Sequence, residues 1–232
     1  MSEKTQMSRF LASVSNLAEA KIAFHAGADW LDLKQPAAGA LGAVDLEQVQ
    51  AIVHWVQNRR PISLTLGDLP LQADILIPVL QSRLNTGVNF IKIGLFPNSD
   101  MLSCLQAMQA YSQTSVGLIA VFFADYAPDF SLLPKLAEIG FKGVMLDTAI
   151  KHRGTLSDYL SLEQLASFIQ QAKNLGLMTG LAGSLQQEMI AELLPLGADY
   201  LGFRGALCQQ KSRTLILEES RVAAIYRALH RK

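Results

Sequence analysis

Two cysteines in 232 residues, Cys104 and Cys208, stand far apart and without metal-ligand spacing. That excludes a disulfide framework and a thiolate metal cage, and suits a reducing compartment. No charge of one sign is in excess: 20 basic side chains meet 20 acidic ones. A neutral chain exerts no global pull on nucleic acid or an anionic membrane, so any anion must be held by a local site. No run reaches the ~18 apolar residues of a membrane span. Met1–Arg9 is polar and lacks the apolar stretch of a signal peptide, so a cytoplasmic protein is expected. The four histidines, His25, His54, His152 and His230, show no metal spacing. No metal or other cofactor is implied. There is no Gly-x-Gly-x-x-Gly after the first apolar run, which removes the signature of a dinucleotide fold. What the chain does have is core material: 50% of it is hydrophobic and 17% charged, which argues against disorder.

The hydrophobic residues have a rhythm. Short β-branched runs at Phe10–Val14, Trp30–Lys34, Ile62–Leu66, Phe90–Leu95, Val116–Phe123, Gly143–Asp147, Met178–Ala182 and Tyr200–Arg204 read as strands. Amphipathic stretches follow them at Asn16–Ala26, Asp45–Asn58, Ala73–Thr86, Ser99–Gln113, Leu132–Ile139, Leu162–Leu175, Gln186–Leu194 and Glu218–Leu229. Gly27, Gly87, Gly140, Gly176 and Gly197 each follow a helical run, where a left-handed C-cap is wanted. No linker or shift in composition divides the chain. Eight alternating units imply an α/β protein, a single (β/α)8 TIM barrel over residues 10–232 behind a short extension, 1–9. In such a barrel the active site lies where the strands end.

Charges interrupt the strand ends. Asp32 and Lys34 share a face of strand two, Lys92 stands inside Phe90-Ile91-Lys92-Ile93-Gly94, Asp147 closes strand six and Arg204 closes strand eight. All four strands are even-numbered, and alternate strands fill one layer of a barrel. The five side chains are therefore expected to converge. Two lysines held together and out of water favour the neutral amine, the form that attacks a carbonyl, and a carboxylate beside them can move the protons. Odd strands add Asp68 and Asp125. Plainer readings compete: a strand-end lysine is often a surface residue, Asp32 and Lys34 would make a structural ion pair, Asp147 before Thr148-Ala149 would cap a helix, and Arg204 would pair with Asp199 or a helix end. A second theme is phosphate. Ala182-Gly183-Ser184 and Gly202-Phe203-Arg204-Gly205 lie after strands seven and eight, the usual phosphate site of this fold, where backbone N–H groups at a helix start face the anion. Arg204 would add a bidentate contact. Either lysine is acceptable as the nucleophile on physical grounds.

These residues resemble those of a known family, the (5-formylfuran-3-yl)methyl phosphate synthases of methanofuran biosynthesis. The likeness runs from about Phe10 to Leu229. Its carriers are Leu31-Asp32-Leu33-Lys34-Gln35-Pro36 with Gly39-Ala40-Leu41-Gly42-Ala43, Gly67-Asp68-Leu69-Pro70, Ile91-Lys92-Ile93-Gly94-Leu95, Met145-Leu146-Asp147-Thr148-Ala149-Ile150-Lys151, Leu181-Ala182-Gly183-Ser184 and Gly202-Phe203-Arg204-Gly205-Ala206. The resemblance implies a carbon–oxygen lyase that joins two molecules of glyceraldehyde 3-phosphate, with loss of phosphate and water, through a lysine Schiff base. It implies Lys34 as the Schiff-base lysine, Lys92 as proton acceptor, and Asp147 and Lys151 as further acid/base or positioning groups. Asp32, Asp68, Asp125, Gly183, Ser184, Gly202, Arg204 and Gly205 are then expected around the substrate. Ala38 and Ala40 depart from the family, which carries an acidic residue and a serine there. The expected partner is a triose phosphate, not nucleic acid or membrane, and a homo-oligomer is expected. Two other functions compete: a class I aldolase for another sugar phosphate, and a barrel that binds phosphometabolites without chemistry.

Overall fold

A computed structural model describes residues 8–97, 100–150 and 153–230. Eight parallel strands close in chain order into a barrel: β1 (Arg9–Val14), β2 (Trp30–Leu33), β3 (Ile62–Thr65), β4 (Phe90–Gly94), β5 (Gly117–Phe123), β6 (Gly143–Asp147), β7 (Met178–Leu181) and β8 (Tyr200–Phe203). Parallel strands need crossovers. These are the helices α1 (Leu17–His25), α2 (Leu46–Val56), α3 (Ala73–Leu84), α4 (Met101–Ala107), α5 (Leu133–Ile139), α6 (Leu156–Tyr159), α7 (Leu162–Asn174), α8 (Ile190–Leu193) and α9 (Glu219–Leu229).

The sequence pattern explains the two layers of core. Outward strand residues such as Phe10, Leu31, Leu64, Ile91 and Leu146 pack against helix residues such as Val49, Leu80, Phe168 and Ile225. Inward residues fill the barrel: Leu11, Trp30, Ile119, Val121, Met145 and Tyr200 among them. At Gly140 the backbone takes φ +100° and closes α5, with its N–H on the carbonyls of Leu136 and Ala137, a conformation that costs a glycine nothing.

Several elements end earlier than the pattern suggests. Lys34, Leu95 and Ala182 lie just past β2, β4 and β7, yet their N–H groups still bond the neighbouring strands at Val14, Val121 and Leu146. They close the ladder; the side chains of Lys34 and Ala182 border the cavity at the mouth of the barrel, and Leu95 packs in the outer core. The fourth helix is α only to Ala107 and tightens to a 3-10 turn over Met108–Tyr111. The helix expected over Gln186–Leu194 is a 3-10 turn, one turn of α8, and a second 3-10 turn that holds Pro195. The short α6 has no apolar period long enough to be read from sequence. It is nucleated by a capping box between Thr155 and Asp158.

Candidate active site

The charged strand ends meet inside the barrel as two ion pairs, each spanning strands. Lys92 Nζ lies 2.8 Å from Asp32 Oδ1. Lys34 Nζ lies 3.3 Å from Asp147 Oδ2. All four are buried: Asp32 and Lys92 are 1% exposed, Asp147 2% and Lys34 7%. The plainer pairing of Asp32 with Lys34 is not adopted. Two residues along a strand are about 6.6 Å apart, so the two sit at different depths and each takes a partner from across the barrel.

The lower pair is heavily braced. Ser63 Oγ donates to Asp32 Oδ1 at 2.6 Å and Ser13 Oγ to Oδ2 at 3.2 Å. Burial opposes ionisation of Asp32, but Lys92 and Lys34 outweigh it, and the carboxyl is held below the usual carboxylate range. Burial also pushes the Lys92 ammonium below its ordinary value; Asp32 resists this and Lys34 adds to it. Beneath Lys92 lies an aromatic floor, with the Tyr200 ring centroid 5.6 Å from its Nζ. Trp30 packs on Tyr200 at 5.0 Å between ring centroids. The Tyr200 phenol is raised well above its ordinary value, chiefly by burial and then by the Asp32 charge, so it stays neutral.

The upper pair opens on a cavity of about 300 Å³ at the C-terminal ends of the strands. Lys34, Asp32 and Asp147 line it, together with Gly183, Ser184, Gly202, Arg204 and Gly205. Lys92 is not on its wall; it reaches the cavity only through Asp32. Asp147 also accepts from the Thr148 N–H at 2.7 Å, which orients the carboxylate toward Lys34.

Behind β7 the backbone bends sharply. Gly183 has φ +106° and Ser184 φ +53°, a region sparsely populated for a serine and found often at binding sites. A Cβ on Gly183 would sit 3.1 Å from Thr148 Cγ2, so glycine lets this loop lie against the end of β6. The N–H groups of Gly183, Ser184 and Gly205 have no acceptor among the described residues. They are therefore available to an anion.

The remaining expected residues serve the loops. Asp68 accepts from the N–H groups of Ala40 at 2.8 Å and Leu41 at 2.6 Å. Asp125 does the same for Ala149 at 2.8 Å and Ile150 at 2.6 Å. Neither lines the cavity. Arg204 needs the largest revision. β8 ends at Phe203, Arg204 leaves extended geometry (φ −136°, ψ −68°), and of its two plainer pairings it takes the helix end: its guanidinium binds Glu19, in the first turn of α1, at 2.6 and 3.0 Å, not Asp199. Carbonyls of Ser13, Arg213 and Leu215 take its other contacts, so all five N–H groups an arginine has already have acceptors. Lys151 and His152 lie outside the described residues.

Ser13, Ser63 and Arg213 were not picked out from the sequence. The two serines left a signal, a buried polar residue within each of two short, largely apolar strands. Arg213 left none, because its loop has no periodicity.

Comparison with known proteins shows the family and the fold. The model of the 4-HFC-P synthase family matches residues 10–226. A Methylorubrum extorquens relative is 40% identical over 223 residues, 95% of this chain and 91% of its own. The (5-formylfuran-3-yl)methyl phosphate synthase of Methanobrevibacter smithii is 34% identical over 209 residues, 85% of this chain and 88% of its own. Phosphoribosyl anthranilate isomerase from Thermus thermophilus shares the fold, with a TM-score of 0.65 at 14% identity, covering 95% of this chain and 98% of that one. With its barrel, its paired lysines and carboxylates and this continuous likeness, the chain belongs to the 4-HFC-P synthase family.

Proposed function

We propose that this protein condenses two molecules of glyceraldehyde 3-phosphate into (5-formylfuran-3-yl)methyl phosphate, a furan precursor of methanofuran, through a Schiff base on Lys34. The observation that carries the assignment is the division of the two lysines. Lys34 faces the cavity with a carboxylate at 3.3 Å, while Lys92 lies beneath Asp32 and off the cavity wall. The unpaired N–H groups after β7 and β8 support a phosphorylated substrate.

The neutral amine of Lys34 adds to the aldehyde carbon of one triose phosphate. Asp147 passes the proton as the carbinolamine loses water. The iminium acidifies the neighbouring C–H, and loss of that proton gives an enamine. The enamine expels its own C3 phosphate and leaves an unsaturated iminium, whose C3 is attacked by C2 of the second triose as its enediolate. The C2 oxygen of the first triose then closes on the aldehyde carbon of the second, loss of two waters makes the ring aromatic, and hydrolysis of the remaining imine frees Lys34 and leaves the formyl group. Two triose phosphates equal one furan phosphate, one phosphoric acid and two waters, so no oxidant or reductant is needed. Lys92 stays below, holding Asp32 ionised.

Borohydride reduction in the presence of glyceraldehyde 3-phosphate, followed by peptide mapping, tests the assignment. The expected result is an adduct on Lys34, with a furan product in the unreduced reaction. An adduct confined to another residue would sink the role of Lys34. A product without a furan would sink the reaction.

A further inference from the structure

The exit of β8 carries two arginines, and they have different situations. Arg204 is saturated. Its ion pair with Glu19 is almost fully buried, with side chains 8% and 5% exposed. Two of its acceptors are the carbonyls of Arg213 at 2.7 Å and Leu215 at 3.3 Å. It thus grips the backbone of an excursion whose base is closed by a bridge between Cys208 and Leu217. Gln209 N–H to the Ile216 carbonyl, at 3.0 Å, continues that closure.

Arg213, midway round this excursion, reaches the wall of the same cavity as Lys34, Gly183 and Gly205. One of its N–H groups donates to the Gly39 carbonyl at 2.8 Å. That carbonyl is itself fixed, because Asp68 staples the next two residues. Among the described residues no carboxylate lies within ion-pair distance of Arg213. The two lysines and two aspartates deeper in the barrel already balance one another. Burial pushes the Arg213 guanidinium below its ordinary pKa; Asp147 resists this, and Arg204 adds to it. The cavity wall therefore holds a fixed, partly desolvated cation with donors to offer, beside three backbone N–H groups in the same condition.

We propose that Arg213, and not Arg204, is the guanidinium that binds the phosphate monoester of the substrate, completing a cradle with the N–H groups of Gly183, Ser184 and Gly205, and that Arg204 positions it. The inference rests on the reading of the substrate as a phosphorylated triose. It assigns the ligand to one side chain and gives the strand-end arginine a mechanical role. Arg213 also ties the loop after β8 to the loop after β2, so an anion seated on it braces both walls of the mouth.

The test is calorimetric titration with glycerol 3-phosphate, which has the phosphate but no carbonyl and so binds without imine chemistry. The wild type is expected to bind it. Loss of a charge-assisted contact in Arg213→Gln should weaken binding by about 10- to 100-fold with little change in melting temperature. Arg213→Lys should recover only part, since an ammonium cannot hold Gly39 and present a planar fork together. Arg204→Lys should weaken binding and lower the melting temperature. Because Arg204 acts through Arg213, the double variant should bind no worse than Arg213→Gln alone. The proposal is overturned by a wild type that does not bind glycerol 3-phosphate, by Arg213→Gln binding within twofold of wild type, or by fully additive losses in the double variant. Should Arg204→Lys not fold, the Arg213→Gln comparison decides alone. Failure to trap Lys34 while glycerol 3-phosphate still binds would refute the Schiff base and leave this site standing.

Discussion

Replacing Lys92 by methionine keeps the length of the side chain and removes its charge. The carboxylate of Asp32, 2.8 Å away and 1% exposed, then loses its counter-ion in the middle of the barrel. Removing one partner of a buried pair costs about 3–5 kcal/mol. The hydroxyls of Ser63 and Ser13 stay on Asp32, and Lys34 remains close enough to be felt, so the low end, about 3 kcal/mol, applies. For a chain of this size that is a fall of about 6–12 °C in melting temperature. The pH dependence is the sharper test. In the wild type, burial disfavours the Asp32 charge but the two lysines outweigh it, so its pKa lies below the unfolded value. Its contribution to stability is present above about pH 4 and is lost only as pH falls through the lower folded value. In Lys92→Met the main opposing charge is gone and burial raises the pKa above the unfolded value. The folded variant then binds a proton more readily than the unfolded chain, and its deficit shrinks as pH falls from 8 to 5. Thermal unfolding of both proteins across that range measures this, and Lys92→Met with Asp32→Asn should recover part of the loss. A fall of under about 2 °C at pH 8, or a deficit unchanged at pH 5, would refute the reasoning that Asp32 depends on Lys92.

Three further perturbations probe other levels of the site. Asp147→Asn removes the carboxylate beside Lys34 and should lower furan formation, followed by ultraviolet absorbance, by about 10²- to 10⁴-fold; a loss under tenfold would remove Asp147 from proton transfer. Asp68→Ala strips the acceptor from two N–H groups, costing about 3 kcal/mol at the low end for charged hydrogen bonds, and should expose residues 37–42 to limited proteolysis. An unchanged digestion pattern would show that the loop holds without Asp68. Gly180→Ala drives a Cβ into the Tyr200 ring and should cost about 1–3 kcal/mol through overpacking; Tyr200→Leu in the same chain should relieve it, and a melting temperature equal to wild type would contradict the tight floor.

The fold was legible because both kinds of core follow simple periods. Inward and outward strand residues alternate, and helix residues recur along one face, so eight units and their closure could be read from the apolar pattern. The convergence of Asp32, Lys34, Lys92 and Asp147 was also legible, since charges inside apolar runs on alternate strands have one place to go. Arg204 misled for a local reason. Parity holds only while the chain is extended, and the backbone leaves extended geometry at Arg204 itself, so its guanidinium turns to Glu19 at the start of α1 although the residue still borders the cavity. Arg213 was illegible for the opposite reason. Its place is set by contacts distant in sequence, the grip of Arg204 and the carbonyl of Gly39, and a single chain read along its length carries no record of them.

The depth difference between Asp32 and Lys34 has a consequence for the chemistry. Had these neighbours paired with each other, Lys34 would stay anchored to its own strand and Lys92 would face Asp147 across the cavity. The crossed arrangement gives each lysine a carboxylate from another strand and separates the two pairs by accessibility. In the lower pair Lys92 is closed over by Asp32 and floored by Tyr200, so it suits a fixed field, and only Asp32 of that pair borders the cavity. The upper pair has both members on the cavity wall. A lysine that must cycle between ammonium, amine and imine needs a partner able to take and return a proton at each turn, and Asp147 is the carboxylate within reach of Lys34 on the cavity wall. The physical equivalence of the two lysines in the sequence is therefore broken by depth: Lys34 borders the cavity and Lys92 does not.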